Sequence, residues 1–405
     1  MRLKGNVKFI GKAFAAFQFF NCSLGIISAN AHQIPCRYLL KRTLEGFSPS
    51  ERPIEASVLK TIQSPKRSIE SIETFRVGTL NSYNLYVTTG KYEMVVDPAT
   101  GIETLKQVTN GVSKTVENLE SIATAIKSQN LDVVILQEVE GIESLLKFNH
   151  EYLGGEYEVF IERGNDFRGI EIAMLVKKDL PFKYEYVSHA DLKMKEPLGN
   201  KDSLIQAFSR DFPVLKFYAD DGSPQEKPLF AIAGVHFKSK RDRPGDPESK
   251  VLRAAQVRQA EKIILNLQKA YGENFPILVG GDFNGHIHYE EEFDSFLSGA
   301  LGLGDTLRLA NPDISAKDAV THTWHPSGEN VSLQQLDAIL VNDPLKKAIN
   351  KSEVYRYKDA EGHDKPLPTT RYQRDKNPSD HFPVWAEFDF KILIQLLKSS
   401  NSTRK

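Results

Sequence analysis

The chain has only two cysteines, Cys22 and Cys36, so it has no set of thiol ligands for a structural zinc site and no disulfide framework. It has no glycine-rich phosphate loop of the dinucleotide or Walker type, which removes the common nucleotide-binding folds. Charge of one sign is missing too. The formal net charge is −1 and the sequence pI is about 6.8, so no global positive field marks a nucleic-acid binder, although a neutral total leaves room for a local basic cleft. Past the first thirty or so residues no apolar run approaches the roughly 20 residues needed to cross a membrane. At 405 residues, 40% hydrophobic and 26% charged, the chain is long enough for one large core or two ordinary ones.

The N-terminus carries Arg2, Lys4, Lys8 and Lys12 with no acid, then the apolar run "AFAAFQFFNCSLGIIS", then the small-x-small triplet Ala29-Asn30-Ala31. This is the order of a secretory signal peptide, so residues 1–31 are expected to be removed and the mature protein to be secreted or periplasmic, with no integral membrane segment left. Cys22 would leave with the signal, and Cys36 would remain alone. Residues 32–74 mix Pro, Ser, Lys and Glu with scattered apolar positions and read as an exposed lead-in. A single domain is expected over 75–390, followed by a tail at 391–405, and the chain is expected to be a monomer.

Two helices are predicted from apolar spacing of three and four residues. In "KTVENLESIATAIKSQN" the stripe is Val116, Leu119, Ile122, Ala123 and Ile126; in "LRAAQVRQAEKIILNLQKAYG" it is Val257, Ala260, Ile264 and Leu267, with a stop at Tyr271-Gly272. Each helix feeds a strand, "LDVVILQE" and "FPILVGG". Further strands are predicted in "FRVGTL", "EIAMLVKK", "PVLKFYA", "LFAIAGVHF", "LDAILV" and "PVWAEFDF". Many strands with a few helices between them imply an α/β sandwich, packed sheets inside and helices outside.

Polar residues collect at the ends of these strands: Asn81, Glu138, His236, Asp282 and Asn284, Asp337, and the pair Asp380-His381. Singly, each fits a turn, a helix cap or a surface ion pair. Together they form a set rich in oxygen and poor in nitrogen, which suits a hard ion such as Mg²⁺, Mn²⁺ or Ca²⁺. A divalent ion, an Asp to handle water and a His paired with another Asp are the parts needed to attack a phosphodiester with water.

The ordered set "LNSYN", "LQE", "GVHFKSK", "GGDFN", "LDAIL" and "SDHFPV" resembles the endonuclease/exonuclease/phosphatase superfamily over roughly residues 75–390, and specifically its deoxyribonuclease-like and sphingomyelinase-like branch. The resemblance implies a four-layered α/β-sandwich, two packed mixed β-sheets flanked by helices, and metal-dependent hydrolysis of phosphate esters. It implies that Glu138, with Asn81 beside it, holds the metal, and that Asp380 is a second ligand or a support. Asp282 would handle the attacking water, and Asn284 would hold that water and a phosphate oxygen. His381, kept protonated by Asp337, would contact the scissile phosphate, and His236 matches the additional histidine of that branch.

Substrate contacts are expected from Arg168 and Arg210, whose forked donors suit phosphate, and from Lys238 and Lys240 in the basic run after His236. His286 and His288 are read as loop residues. The leading functional expectation is a nuclease of low sequence specificity acting on nucleic acid. The alternatives are a phosphodiesterase acting on a lipid headgroup or small molecule, favoured by an aromatic hairpin that the sequence does not display, and a binding protein without catalysis, disfavoured by the intact polar set.

Overall fold

The computed structural model describes residues 66–87, 114–199, 202–220, 227–325 and 331–395, and the backbone of two short strands at 92–96 and 103–107. The expected signal segment, most of the expected lead-in and most of the expected tail lie outside the described residues. In chain order the strands are β1 (Thr74–Leu85), β2 (Tyr92–Val96), β3 (Glu103–Gln107), β4 (Val133–Val139), β5 (Tyr157–Ile161), β6 (Glu171–Lys177), β7 (Phe182–Val187), β8 (Lys193–Lys195), β9 (Leu204–Gln206), β10 (Val214–Ala219), β11 (Phe230–His236), β12 (Ile277–Asp282), β13 (Gly304–Asp305), β14 (His322–Trp324), β15 (Ser332–Gln334), β16 (Asp337–Val341), β17 (Ile349–Val354) and β18 (Val384–Asp389).

Two six-stranded mixed sheets dominate. One has the order β17-β18-β1-β4-β6-β5, the other β13-β16-β12-β11-β10-β7. In each sheet the central pair is parallel, β1 with β4 and β11 with β12, and every other pairing is antiparallel. The carboxyl ends of the parallel strands and the amino ends of their antiparallel neighbours β16, β18 and β6 therefore share one rim.

Alternation along the strands builds the layers. In β4, Val133 and Ile135 face the other sheet, while Val134 and Leu136 face outward. The space between the sheets is filled by such inward residues with Phe75, Phe182, Phe217 and Phe230, whose rings pack edge to face and stacked. The helices Val116–Ser128 and Ile142–Tyr152 cover the outer face of the first sheet, and Lys250–Tyr271 covers that of the second. The result is a helix–sheet–sheet–helix sandwich, the architecture expected from the sequence.

Several details differ from the sequence reading. Val116 is 56% exposed although it lies on the predicted stripe, because it is the first residue of its helix, beyond the part that packs on the sheet. Strands β5, β7 and β17 lack the apolar runs that mark the inner strands of the two large sheets. They lie at sheet edges, where "FKYEYV" and "INKSEV" place charged side chains toward solvent. The described end of the lead-in is docked: Lys66 pairs with Asp220 at 2.6 Å, and Arg67 pairs with Asp132 at 2.8 Å. Leu393, in the predicted tail, is buried in the core.

Candidate active site

The segment "ILVGGD" is strand to its last residue, so Gly280 and Gly281 do not make a turn. A Cβ on Gly280 would lie 2.7 Å from Ile135 Cδ1 of the opposite sheet, and one on Gly281 would lie 2.0 Å from the carbonyl oxygen of Val235. Gly281 also has φ +149°, a conformation L-residues rarely adopt. Gly280 and Gly234, the latter likewise pressed on Ile135 and Ile172, let the two sheets close up toward the rim, while Gly281 lets β12 approach β11 within its own sheet. There Asn81 Nδ2 of the first sheet donates to Asp282 Oδ2 of the second over 3.0 Å.

Asp282 is the centre of the site. Its Oδ1 accepts the backbone N–H of Asn284 at 2.8 Å, and its Oδ2 accepts the side-chain amides of Asn81 and Asn284, each at 3.0 Å. His236 Nε2 lies 3.5 Å and His381 Nε2 4.0 Å from the same oxygen. Strand register places these groups, since His236, Asp282 and Asp337 are direct partners across β11, β12 and β16. Burial pushes the Asp282 carboxyl up to about 6, with the His381 charge pulling down and Asp337 pushing further up.

His381 donates from Nδ1 to Asp337 Oδ2 at 2.7 Å. Burial opposes charge on this ring, but the Asp337 and Asp282 carboxylates outweigh it and push the imidazolium up to about 10. His236 behaves in the opposite way. Burial, reinforced by the positive charges of Arg210 and His381, holds it well below the usual histidine value. Two histidines around one carboxylate thus differ in charge: His381 is cationic and His236 neutral.

Four of the seven non-glycine residues with positive φ among the described residues, Tyr83, Asn84, Glu138 and Asn284, lie at this rim. Each such L-residue costs about 1–2 kcal/mol, so the strain is concentrated where the site is built. Glu138, at φ +60°, sits where the registers of β4 with both β1 and β6 shift, a bulge that re-aims its side chain. Its Oε2 accepts the Asn84 N–H at 3.2 Å, and burial raises its carboxyl despite Arg210 and Arg168 nearby.

The donor set fits a divalent cation. Asp380 Oδ1 and Asp337 Oδ1 are buried without a hydrogen-bond partner among the described residues, and Glu138 is a carboxylate that burial alone disfavours. Among the described residues two groups have ligand atoms close enough to share an ion, Asp282 with Asp337 and His381, and His322 with Asp380 and His381. Glu138 belongs to neither. Asn81, expected beside the metal, is engaged at both ends of its amide, by Asp282 and by the N–H of Tyr83.

The structure also places the other expected residues. The Asn284 amide donates to Asp282 and to the carbonyl of Phe237, which makes it a clamp on the carboxylate. Arg168 forms a fork on Asp166, and the buried Arg210 lies 3.2 Å from the same carboxylate and 3.5 Å from the Phe237 carbonyl. Both lie in the field of Glu138. Lys238 is partly buried in the field of Arg210. Lys240 is held by Glu290, within a network anchored on the buried Arg253, so this lysine is turned away from the role expected of it. His288 pairs with Asp305 at 2.8 Å, in keeping with a structural loop residue.

Four residues had no signal in the sequence. Ser379 donates to the Asn81 carbonyl at 2.7 Å and accepts the His381 N–H at 3.0 Å, tying the loop of one strand to the end of another. The Thr321 hydroxyl accepts the N–H groups of Leu336 and Asp337. Lys114 donates to the Pro378 carbonyl, and burial lowers it to about 8 against the pull of Asp380 and Glu138. His322 lies against His381, the ring centroids 4.5 Å apart and the planes tilted by 45°. Lone Ser, Thr, Lys and His residues are too common for spacing to single them out.

No protein-family profile and no curated protein matches this chain. Among solved structures it is similar to the human Nocturnin catalytic domain with bound sulfate, at 19% identity over 78% of this chain and 94% of that one, with TM-score 0.49. It is similar to truncated Caenorhabditis elegans TDP2, at 17% identity over 78% and 98%, with TM-score 0.48. An endonuclease/exonuclease/phosphatase family protein from Bacteroides thetaiotaomicron is similar at 17% identity over 78% and 97%, with TM-score 0.48. Similarity at this level says nothing about what the present chain acts on.

Proposed function

We propose that the chain is a member of the endonuclease/exonuclease/phosphatase superfamily and a divalent-metal-dependent phosphodiester hydrolase, a secreted nuclease of low sequence specificity. The observation that carries the reading is the buried Asp282 carboxylate facing the His381–Asp337 pair. A carboxylate pushed up to about 6 is ionised at neutral pH and basic enough to take a proton from water. Asn81 and Asn284 fix its orientation from three N–H groups.

The water oxygen forms a bond to phosphorus as its proton passes to Asp282, and the bond from phosphorus to the leaving oxygen breaks. His381 carries the proton that the leaving oxygen needs, while neutral His236 adds a polar contact without charge. Arg168 and Arg210 supply positive potential beside the substrate. Glu138 and Asp380 would hold a divalent ion, Mg²⁺ with Mn²⁺ or Ca²⁺ as substitutes, and when bound it neutralises the charge of the phosphate oxygens.

The flanks of the site favour a polyanion with exposed bases. Phe167, 89% exposed, precedes Arg168; exposed Trp324 precedes His325, which lies in the field of Arg374 and Arg371, and exposed Tyr372 lies between those two arginines in the chain. Aromatic faces next to basic groups serve base stacking on single strands. The same aromatics support the second reading, a phosphodiesterase on lipid headgroups. Among the described residues no helix is long and apolar enough to cross a membrane.

The test is incubation of residues 32–405 with plasmid DNA, RNA and sphingomyelin vesicles, in Mg²⁺, Mn²⁺, Ca²⁺ or chelator, beside the Asp282→Asn protein. Metal-dependent cleavage of nucleic acid that the variant lacks supports the nuclease. Cleavage of lipid alone moves the substrate to the second reading, and no hydrolysis of any phosphodiester removes the enzyme. Export is tested by sequencing the N-terminus of the protein recovered outside the cytoplasm, which should begin at His32.

A further inference from the structure

We propose that His322 and Asp380, with His381 as the third corner, form a site for a borderline transition-metal ion such as Mn²⁺, Co²⁺ or Zn²⁺. The inference rests on the reading above for its functional consequence, but not for the binding itself.

Backbone pairing fixes the geometry. His322 on β14 forms an antiparallel bridge with His381, with Thr323 N–H donating to the Asp380 carbonyl at 3.1 Å and Phe382 N–H to the Thr321 carbonyl at 2.7 Å. The two imidazole planes are tilted 45° to one another with centroids 4.5 Å apart, and His322 is 8% exposed. Its Nδ1 lies 3.2 Å from Gln334 Oε1, an acceptor, so the ring proton belongs on Nδ1 and Nε2 carries a bare lone pair.

That lone pair faces Asp380 Oδ2 across 3.9 Å. Two electron-rich atoms so placed repel unless a cation lies between them. The gap is too long for a hydrogen bond, yet it accommodates a metal with legs of about 2.0–2.2 Å to each atom. Asp380 Oδ1, buried and unpartnered, offers a further donor. The ligand atoms of His322, Asp380 and His381 all lie within 4.8 Å of one another. Two imidazoles and one carboxylate favour borderline ions over Mg²⁺ and Ca²⁺, which prefer all-oxygen shells.

An ion bound here displaces the proton from His381 Nε2, the proton that the proposed mechanism delivers to the leaving oxygen. An ion here therefore holds the enzyme off while a hard ion at Glu138 supports turnover.

The experiment is titration of the mature chain with Co²⁺ in phosphate-free buffer, read by visible d–d absorption, with Zn²⁺ as competitor. The expected result is saturable absorption displaced by Zn²⁺, with binding weakened tenfold or more in His322→Gln, a loss at least that of removing an outer-shell partner. Circular dichroism of both proteins checks the fold. If the variant misfolds, zinc-edge X-ray absorption of the unmutated chain decides, and imidazole nitrogen in the shell is the expected signature. Equal Co²⁺ affinity in wild type and folded His322→Gln, or a wild-type shell without imidazole, overturns the site. Because the readout is binding, that failure leaves Mg²⁺-dependent hydrolysis standing, whereas a Co²⁺-binding chain that hydrolyses no phosphodiester sinks only the function.

Discussion

His381 Nδ1 and Asp337 Oδ2 meet at 2.7 Å across the join between the two sheets, one residue leading into β18 and the other opening β16. The contact sustains a charge on a buried ring that burial alone would remove.

A pH-dependent stability follows for Asp337→Asn. The folded value of His381, about 10, lies above its ordinary 6.5, so the stabilisation is full below about pH 6.5 and is lost as pH rises through about 10. Urea midpoints should separate wild type from the variant clearly at pH 6 and converge toward pH 10. A separation that stays constant across this range overturns the dyad as the source of the charge. Turnover in the variant should fall by about 10²–10⁴-fold, the usual contribution of a positioned proton donor.

Asp282 governs the acid limb. As a base it must be ionised, so kcat/KM should rise with pH through about 6. Asp282→Asn should lose about 10²–10⁴-fold in rate with its circular dichroism unchanged. Wild-type rates in the folded variant would falsify the mechanism.

Glu138→Gln keeps the shape and removes the charge. The Mg²⁺ concentration for half-maximal rate should rise by about tenfold or more, and saturating ion should restore part of the activity. An unchanged metal requirement would move the ion away from this carboxylate.

The two basic groups should behave differently on DNA. Arg168→Ala should raise KM for plasmid and reduce its dependence on salt, because Arg168 lies in the field of Glu138. Lys240→Ala should leave KM nearly unchanged and lower stability by about 1 kcal/mol, since Lys240 is spent on Glu290. Equal effects on KM would contradict this placement.

Gly281→Ala tests the close approach of the strands. A methyl 2.0 Å from the Val235 oxygen, on a backbone at φ +149°, should cost about 3 kcal/mol or more in urea unfolding, with loss of activity following the loss of fold.

The linear pattern of the chain determined its layers. Apolar runs such as "VVIL" and "FAIAGV", and helical stripes ending at Gly272, carry the periods that pack sheets and helices, because period decides which face is buried. It also determined which polar residues stand at strand ends, since a carboxylate after a buried run must emerge at a rim. Edge strands β5, β7 and β17 escaped because solvent on one side relaxes the apolar pattern. Val116 misled because a stripe does not show where a helix outruns its sheet.

Only the tertiary structure decided which of those polar groups meet and in what charge state. Asn81 and Asp282 are 201 residues apart in sequence yet 3.0 Å apart in space, a contact set by register and by glycines that let two sheets close. The same folding turned Asn284 onto Asp282, gave Lys240 to Glu290, and laid His322 on His381. Charge on His381 and its absence on His236 depend on burial and on neighbours across strands, quantities that a linear order of residues does not contain.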